Sequence, residues 1–122
     1  MNKATDATTT LQEIKEISSK FVHDRDWDKF HSPKDLSMNL SIEAAELMEK
    51  FLWISSQDSL QEIEKNRSDI EDEVGDVLFC LLQFCAVAKI DAASAFLQKI
   101  EKIGKKYPIE TFKGIHTKYD KL

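Results

Sequence analysis

Apolar residues recur along this chain at helical spacing, in four stretches separated by short polar breaks. In the first stretch, Leu11, Ile14, Ile17 and Phe21 follow the period that places side chains on one face of an α-helix. Thr10 and Glu13 have the spacing of a capping box, in which each side chain satisfies the other's free backbone N–H. The first helix is therefore predicted to start at Thr10. Residues 24–31 (DRDWDKFH) lose the period and mix charges with aromatics, which reads as a connection. Ser32-Pro33 restarts a helix, with Ser as N-cap and Pro at the first helical position, where its missing N–H costs nothing.

The second helix is predicted over 33–53, with Leu36, Leu40, Leu47, Phe51 and Ile54 on its stripe. After a polar loop at 55–59, Ser59 and Glu62 repeat the capping-box spacing and open a third helix. It carries Ile63, Ile70, Val74, Val77, Leu81 and Ala88. Asp91 is placed to cap a fourth helix bearing Ala95, Phe96, Ile100 and Ile103, and Tyr107-Pro108 should stop it. The expected fold is all-α, a four-helix bundle-like subunit. Residues 1–9 form a flexible lead, 10–108 the helical domain and 109–122 a polar tail. From 77 to 88 the third helix is apolar almost all the way round, broken only by Gln83. Such a helix needs cover on every side, so part of this surface is predicted to be a subunit interface in an oligomer, either a dimer or a tetramer.

Composition narrows the picture. A chain of 122 residues makes one ordinary domain, and three Gly with two Pro suit long helices better than a many-turned sheet. The formal charge of −5 disfavours a nucleic-acid polymer as partner, since binding its phosphates needs a basic face. Cys80 and Cys85 fall on one apolar helix and read as buried thiols of a reducing compartment. The first ten residues lack the apolar centre of a signal peptide, and the longest apolar run, 77–82, is too short to span a bilayer. The cytoplasm is the expected location, with no membrane partner.

Four acids stand where core residues should. Glu43 is seven residues beyond Leu36, only about 20° away around the helix, and Glu46 flanks it one turn on. Glu73 falls between Ile70 and Val77, with Asp76 beside it. A single Glu-x-x-Glu pair is usually a solvated face, but two pairs that each begin on an apolar stripe are harder to explain so. Burying several carboxylates together is expensive unless something positive compensates. Neither stripe is expected to offer a Lys or Arg at these positions, so a metal becomes the better explanation.

An all-carboxylate donor set suits magnesium, or manganese in its place, and not zinc. Di-iron bundles use Glu-x-x-His, and none of His23, His31 or His116 lies three residues after a glutamate. Magnesium characteristically bridges carboxylates to substrate phosphates, which points to metal-assisted hydrolysis of a phosphorylated substrate. No glycine-rich phosphate loop is present.

RDWDKFHSPKDL (25–36), IEAAELMEKFLW (42–53), EDEVGDVLFCL (71–81) and Lys99 followed by KKYP (105–108) together resemble the MazG-like all-α nucleoside triphosphate pyrophosphatases, most closely the small dCTP-pyrophosphatase type. The resemblance implies an Mg²⁺-binding, usually tetrameric enzyme that splits nucleoside triphosphates between the α- and β-phosphates, giving monophosphate and pyrophosphate. Glu43, Glu46, Glu73 and Asp76 match the family's metal ligands. Glu46 is the candidate proton acceptor. Trp27, His31 and Trp53 match positions lining the nucleotide pocket, where aromatic faces can stack on a base. Three positions depart from the closest relatives: Ser18 replaces a substrate-contacting histidine, Cys80 a tyrosine beside the pocket, and Ile103 an asparagine, while Lys99 is retained. These changes bear on the choice of base and sugar.

For other residues plainer readings compete. Trp53 divides evenly between core and pocket. Lys34, Lys99, Lys105 and Lys106 are of a kind more often simply solvated. Gly75, between two of the acids, suggests a close backbone approach. Cys80 lacks a basic partner that would make it a nucleophile. Two rival functions remain: an inactive helical oligomer serving as a partner-binding module, and a phosphoribosyl-ATP pyrophosphohydrolase-like enzyme.

Overall fold

The computed structural model describes residues 3–121. Among them every regular element is helical: α1 (Leu11–Asp24), α2 (Pro33–Glu49), α3 (Ser59–Lys65), α4 (Arg67–Ala88), α5 (Ala92–Lys106) and the single turn α6 (Ile109–Phe112). Short 3₁₀ turns occur at Asp28–Phe30, Ser56–Asp58 and Tyr119–Lys121. The chain divides into two compact units, the first ending at Ile90 and the second beginning at Asp91. No single helix among the described residues is long and apolar enough to cross a membrane.

In the first unit, α1 and α2 both pack on α4, α2 the more extensively. Val22 of α1 and Leu36 of α2 are fully enclosed, and α4 adds Ile70, Cys80, Leu82 and Cys85 to the buried set. The predicted capping box opens α1: Thr10 Oγ1 accepts the Glu13 N–H (3.1 Å), and Glu13 Oε2 accepts that of Thr10 (3.3 Å). Ser32 Oγ accepts the Asp35 N–H at 3.1 Å, fixing the start of α2 ahead of Pro33.

Two boundaries and one cap differ from expectation. Helix α2 ends at Glu49 rather than at 53. The N–H groups of Lys50, Phe51 and Leu52 bond to carbonyls three residues back, a tighter winding than the α-helix, and Trp53 turns into the left-handed region at φ +69°. The long third helix is broken in two at Asn66, whose backbone leaves helical angles while its Nδ2 donates to Glu62 Oε1 at 2.6 Å. That bond joins two side chains and displaces no backbone bond, since the Asn66 N–H still reaches the Glu62 carbonyl (3.0 Å); the break lies in the Asn66 backbone, at φ −125° and ψ 35°. The Ser59/Glu62 capping box does not form. Ser59 Oγ donates to the Ser56 carbonyl, and Ser55 Oγ accepts the Asp58 N–H, capping the 3₁₀ turn instead.

Helix α4 stops at Lys89, which takes the left-handed conformation at φ +56° while the Ile90 N–H reaches back to the Cys85 carbonyl (2.9 Å), as in a Schellman ending. Val74, Leu78, Leu81 and Val87 on α4 are exposed, so the apolar girth noted in the sequence is only partly covered within the chain.

In the second unit, Asp91 caps α5 as expected, Oδ1 accepting the Ser94 N–H at 2.9 Å. The tail beyond Pro108 is more ordered than its polarity suggested. Tyr107 packs edge-on against Phe112 and Tyr119, with ring centroids 4.8 and 5.7 Å apart, and its hydroxyl accepts the Tyr119 N–H.

Candidate metal centre

The packing of α2 on α4 brings the two acidic pairs together. One carboxylate oxygen from each of Glu43, Glu46, Glu73 and Asp76 lies within 4.8 Å of all the others. The first three are half-buried and Asp76 is exposed, so the cluster opens to solvent on one side. Glu43 Oε2 and Glu73 Oε2 are buried oxygens without a hydrogen-bond partner. Burial pushes the Glu43 carboxyl up to about 7, helped by its hydrogen bond with Glu46 and by the negative charges of Glu46, Asp76 and Glu73. Glu73 is raised as well, again chiefly by burial, with Lys50 pulling the other way. Orphaned buried oxygens and repelling carboxylates are what a divalent cation would satisfy, and the oxygen-only donor set fits a hard ion. The cluster could hold such a metal.

Lys50 is the feature that sequence reasoning missed. It lies four residues beyond Glu46 and seven beyond Glu43, on the same face of the α2 path, and its Nζ stands 3.8 Å from Glu73 Oε1. The expectation that neither stripe offers a basic residue is therefore corrected. Gly75 gives a second correction. A Cβ built there meets nothing within 4 Å, so no close backbone approach explains that glycine.

Beside the acids runs a chain of aromatic contacts. Trp27 meets Phe21 edge-on at 5.8 Å between centroids, Phe21 meets Phe79 at 6.1 Å, and Phe79 meets His31 at 6.4 Å. Phe79 follows Asp76 by one helical turn, which ties this cluster to the acidic one. His31 Nδ1 is buried without a partner. The Arg25 guanidinium lies 3.6 Å over the Phe21 ring and donates to the Phe21 carbonyl. Phe21 and Phe79 had no assigned role in the sequence, because an aromatic residue on an apolar stripe is ordinarily core.

The remaining candidates are more scattered. Ser18 is buried in α1 and its hydroxyl donates to the Ile14 carbonyl (2.9 Å). Cys80 is buried one turn beyond Asp76. Burial first, then the charges of Glu43 and Asp76, raise its thiol above the ordinary range, so it stays protonated and unreactive. Trp53 stands 93% exposed after the end of α2. Lys99 lies on α5 in the second unit and is exposed.

The profile of the MazG-like family matches residues 38–122 of this chain, a span holding all four acids. The chain belongs to the MazG-like family. Among its relatives is the dCTP pyrophosphatase 1 of Mus musculus, 31% identical over 115 residues, covering 93% of this chain and 68% of that protein. The dCTP pyrophosphatase 1 of Homo sapiens is 30% identical over the same shares. A solved pyrophosphatase from Archaeoglobus fulgidus superposes with a TM-score of 0.78 at 37% identity, over 88% of this chain and 98% of that one. The MazG-like assignment expected from the four sequence motifs thus agrees with all three comparisons.

Proposed function

We propose that this protein hydrolyses nucleoside triphosphates to nucleoside monophosphate and pyrophosphate in a magnesium-dependent reaction, with a preference resembling that for dCTP. The class of enzyme, a nucleoside triphosphate pyrophosphatase, follows from its family and relatives. The observation that carries the finer reading is the convergence of four carboxylates within 4.8 Å, two of them burying an unpartnered oxygen.

In this reading Glu43, Glu46, Glu73 and Asp76 hold the ion from two helices. When bound, it supplies charge neutralisation at the phosphate oxygens and acidifies a water for attack at the α-phosphorus. Glu46 would accept the proton of the attacking water as the new P–O bond forms and the α–β bridging oxygen leaves with pyrophosphate. Trp27, with Phe21 behind it, offers a face for the base, and His31 presents its free Nδ1 to a polar group of the nucleotide. Ser18 and Cys80 bear on the choice of base and sugar, and Trp53 closes the base site when copies of the chain assemble. The exposed apolar residues of α4 fit a homo-oligomer.

The test is a panel of ribo- and deoxyribonucleoside triphosphates, with and without Mg²⁺, resolved by chromatography. Metal-dependent monophosphate and pyrophosphate support the reading, and the rate order gives the base preference. Diphosphate with orthophosphate overturns the cleavage site. Absence of turnover in folded protein returns the chain to the binding-module reading.

A further inference from the structure

Lys50 is the basic side chain whose charge reaches the acidic cluster from within it. Three features define its position. It sits at the end of α2, where the backbone is already held by bonds from its own N–H to the Leu47 carbonyl (3.2 Å) and from the Phe51 N–H to the Met48 carbonyl (3.0 Å). It continues the register of Glu43 and Glu46 at the next turn. Its ammonium lies 3.8 Å from Glu73 Oε1, on the opposite helix, while Glu73 Oε2 is buried without a partner. An ordinary surface lysine would extend into water, since its stem is flexible and its head strongly hydrated. This one is about two-thirds covered, and its partner Glu73 more so.

We propose that Lys50 is a tethered counter-cation of the acidic cluster, one that shares Glu73 with the incoming divalent ion and so sets how tightly that ion is held. This rests on the metal-binding reading above. A single positive charge bonded to a ligand carboxylate stabilises the cluster when no ion is bound. The same charge repels a divalent ion once that ion arrives and competes with it for the Glu73 oxygens. Lys50 therefore favours the ion-free protein over the ion-bound one. Removing it must shift the balance the other way, because the two effects close one thermodynamic cycle. In this role Lys50 is a positioning residue and touches neither substrate nor reacting atoms.

The experiment uses the full-length protein with Mn²⁺ alone as probe, binding being followed by paramagnetic resonance and calorimetry. Wild type is compared with Lys50→Met and Lys50→Arg, with thermal melting recorded in chelator and at saturating Mn²⁺. Lys50→Met is expected to bind Mn²⁺ about threefold tighter or more. It should melt lower than wild type in chelator, with the gap closing when Mn²⁺ saturates. Lys50→Arg should follow wild type. Should Lys50→Met not fold, Lys50→Gln removes the same charge with a polar side chain. Unchanged or weaker Mn²⁺ binding in the neutral variant, or an unchanged melt in chelator, overturns the role of Lys50 while leaving the metal site standing. A wild-type protein that binds no Mn²⁺ overturns both.

Discussion

Glu43 on α2 and Glu73 on α4, thirty positions apart in the chain, bring carboxylate oxygens within 4.8 Å of one another, and each buries a second oxygen that bonds to nothing. Two like charges so placed are stable only if one keeps its proton or a cation joins them. That alternative controls how the protein should respond to pH and metal.

The Glu43 carboxyl, at 4.5 when unperturbed, is pushed up to about 7. Between these values the folded protein holds a proton that the unfolded chain has released. Stability must then fall as pH rises through that window. Melts of chelator-treated protein should decline from about pH 5 to about pH 8. Glu43→Gln should flatten the decline, and a melting temperature that rises across the range would refute this account.

Glu43→Ala and Asp76→Ala each remove a donor from the cluster. Turnover should drop by about a hundredfold or more, since the charge stabilisation lost is worth several kcal/mol. Circular dichroism should show helicity intact. Collapse of the helical signal would mean that the acids are needed for the fold instead.

Trp27 is 41% exposed and braced edge-on by Phe21, so a large part of its ring is free for a base. Stacking of this kind is worth about 1–3 kcal/mol per base. Trp27→Ala should raise KM roughly tenfold, within that range, and change kcat less, while Trp27→Phe retains most of the affinity. Equal kinetics for wild type and Trp27→Ala would remove Trp27 from the pocket.

Lys89 ends α4 with φ at +56°, where a side chain with a Cβ is strained and glycine is not. Lys89→Gly should stabilise the protein by about 1 kcal/mol, read from urea unfolding. A loss of stability would show that Lys89 contributes something beyond its backbone angle.

How legible all this was depends on what each signal measures. Periodicity and capping marked α1, α2 and α5 because Thr10, Ser32 and Asp91 do locally what their spacing suggests. The break at Asn66 was hidden, since apolar spacing runs through it and only the backbone angles of Asn66 betray it. The four acids could be found because a charge on an apolar stripe is an anomaly within one helix. Lys50 lies within the predicted 33–53 helix and in register with Glu43 and Glu46, but it escaped because its partner, Glu73, belongs to another helix. The Phe21–Phe79–His31 contacts were invisible for the same reason: three separate segments supply the rings.

The chain carries just two indoles, and they sit in unlike surroundings. Trp53 is almost wholly in water, whereas Trp27 shares its site with Phe21 and the Arg25 guanidinium. Their fluorescence should therefore separate by colour and by access to a soluble quencher. Nucleotide arriving at Trp27 would dim one population. Another copy of the chain settling over Trp53 would shift the other to the blue, so the protein comes with an optical reporter for each event.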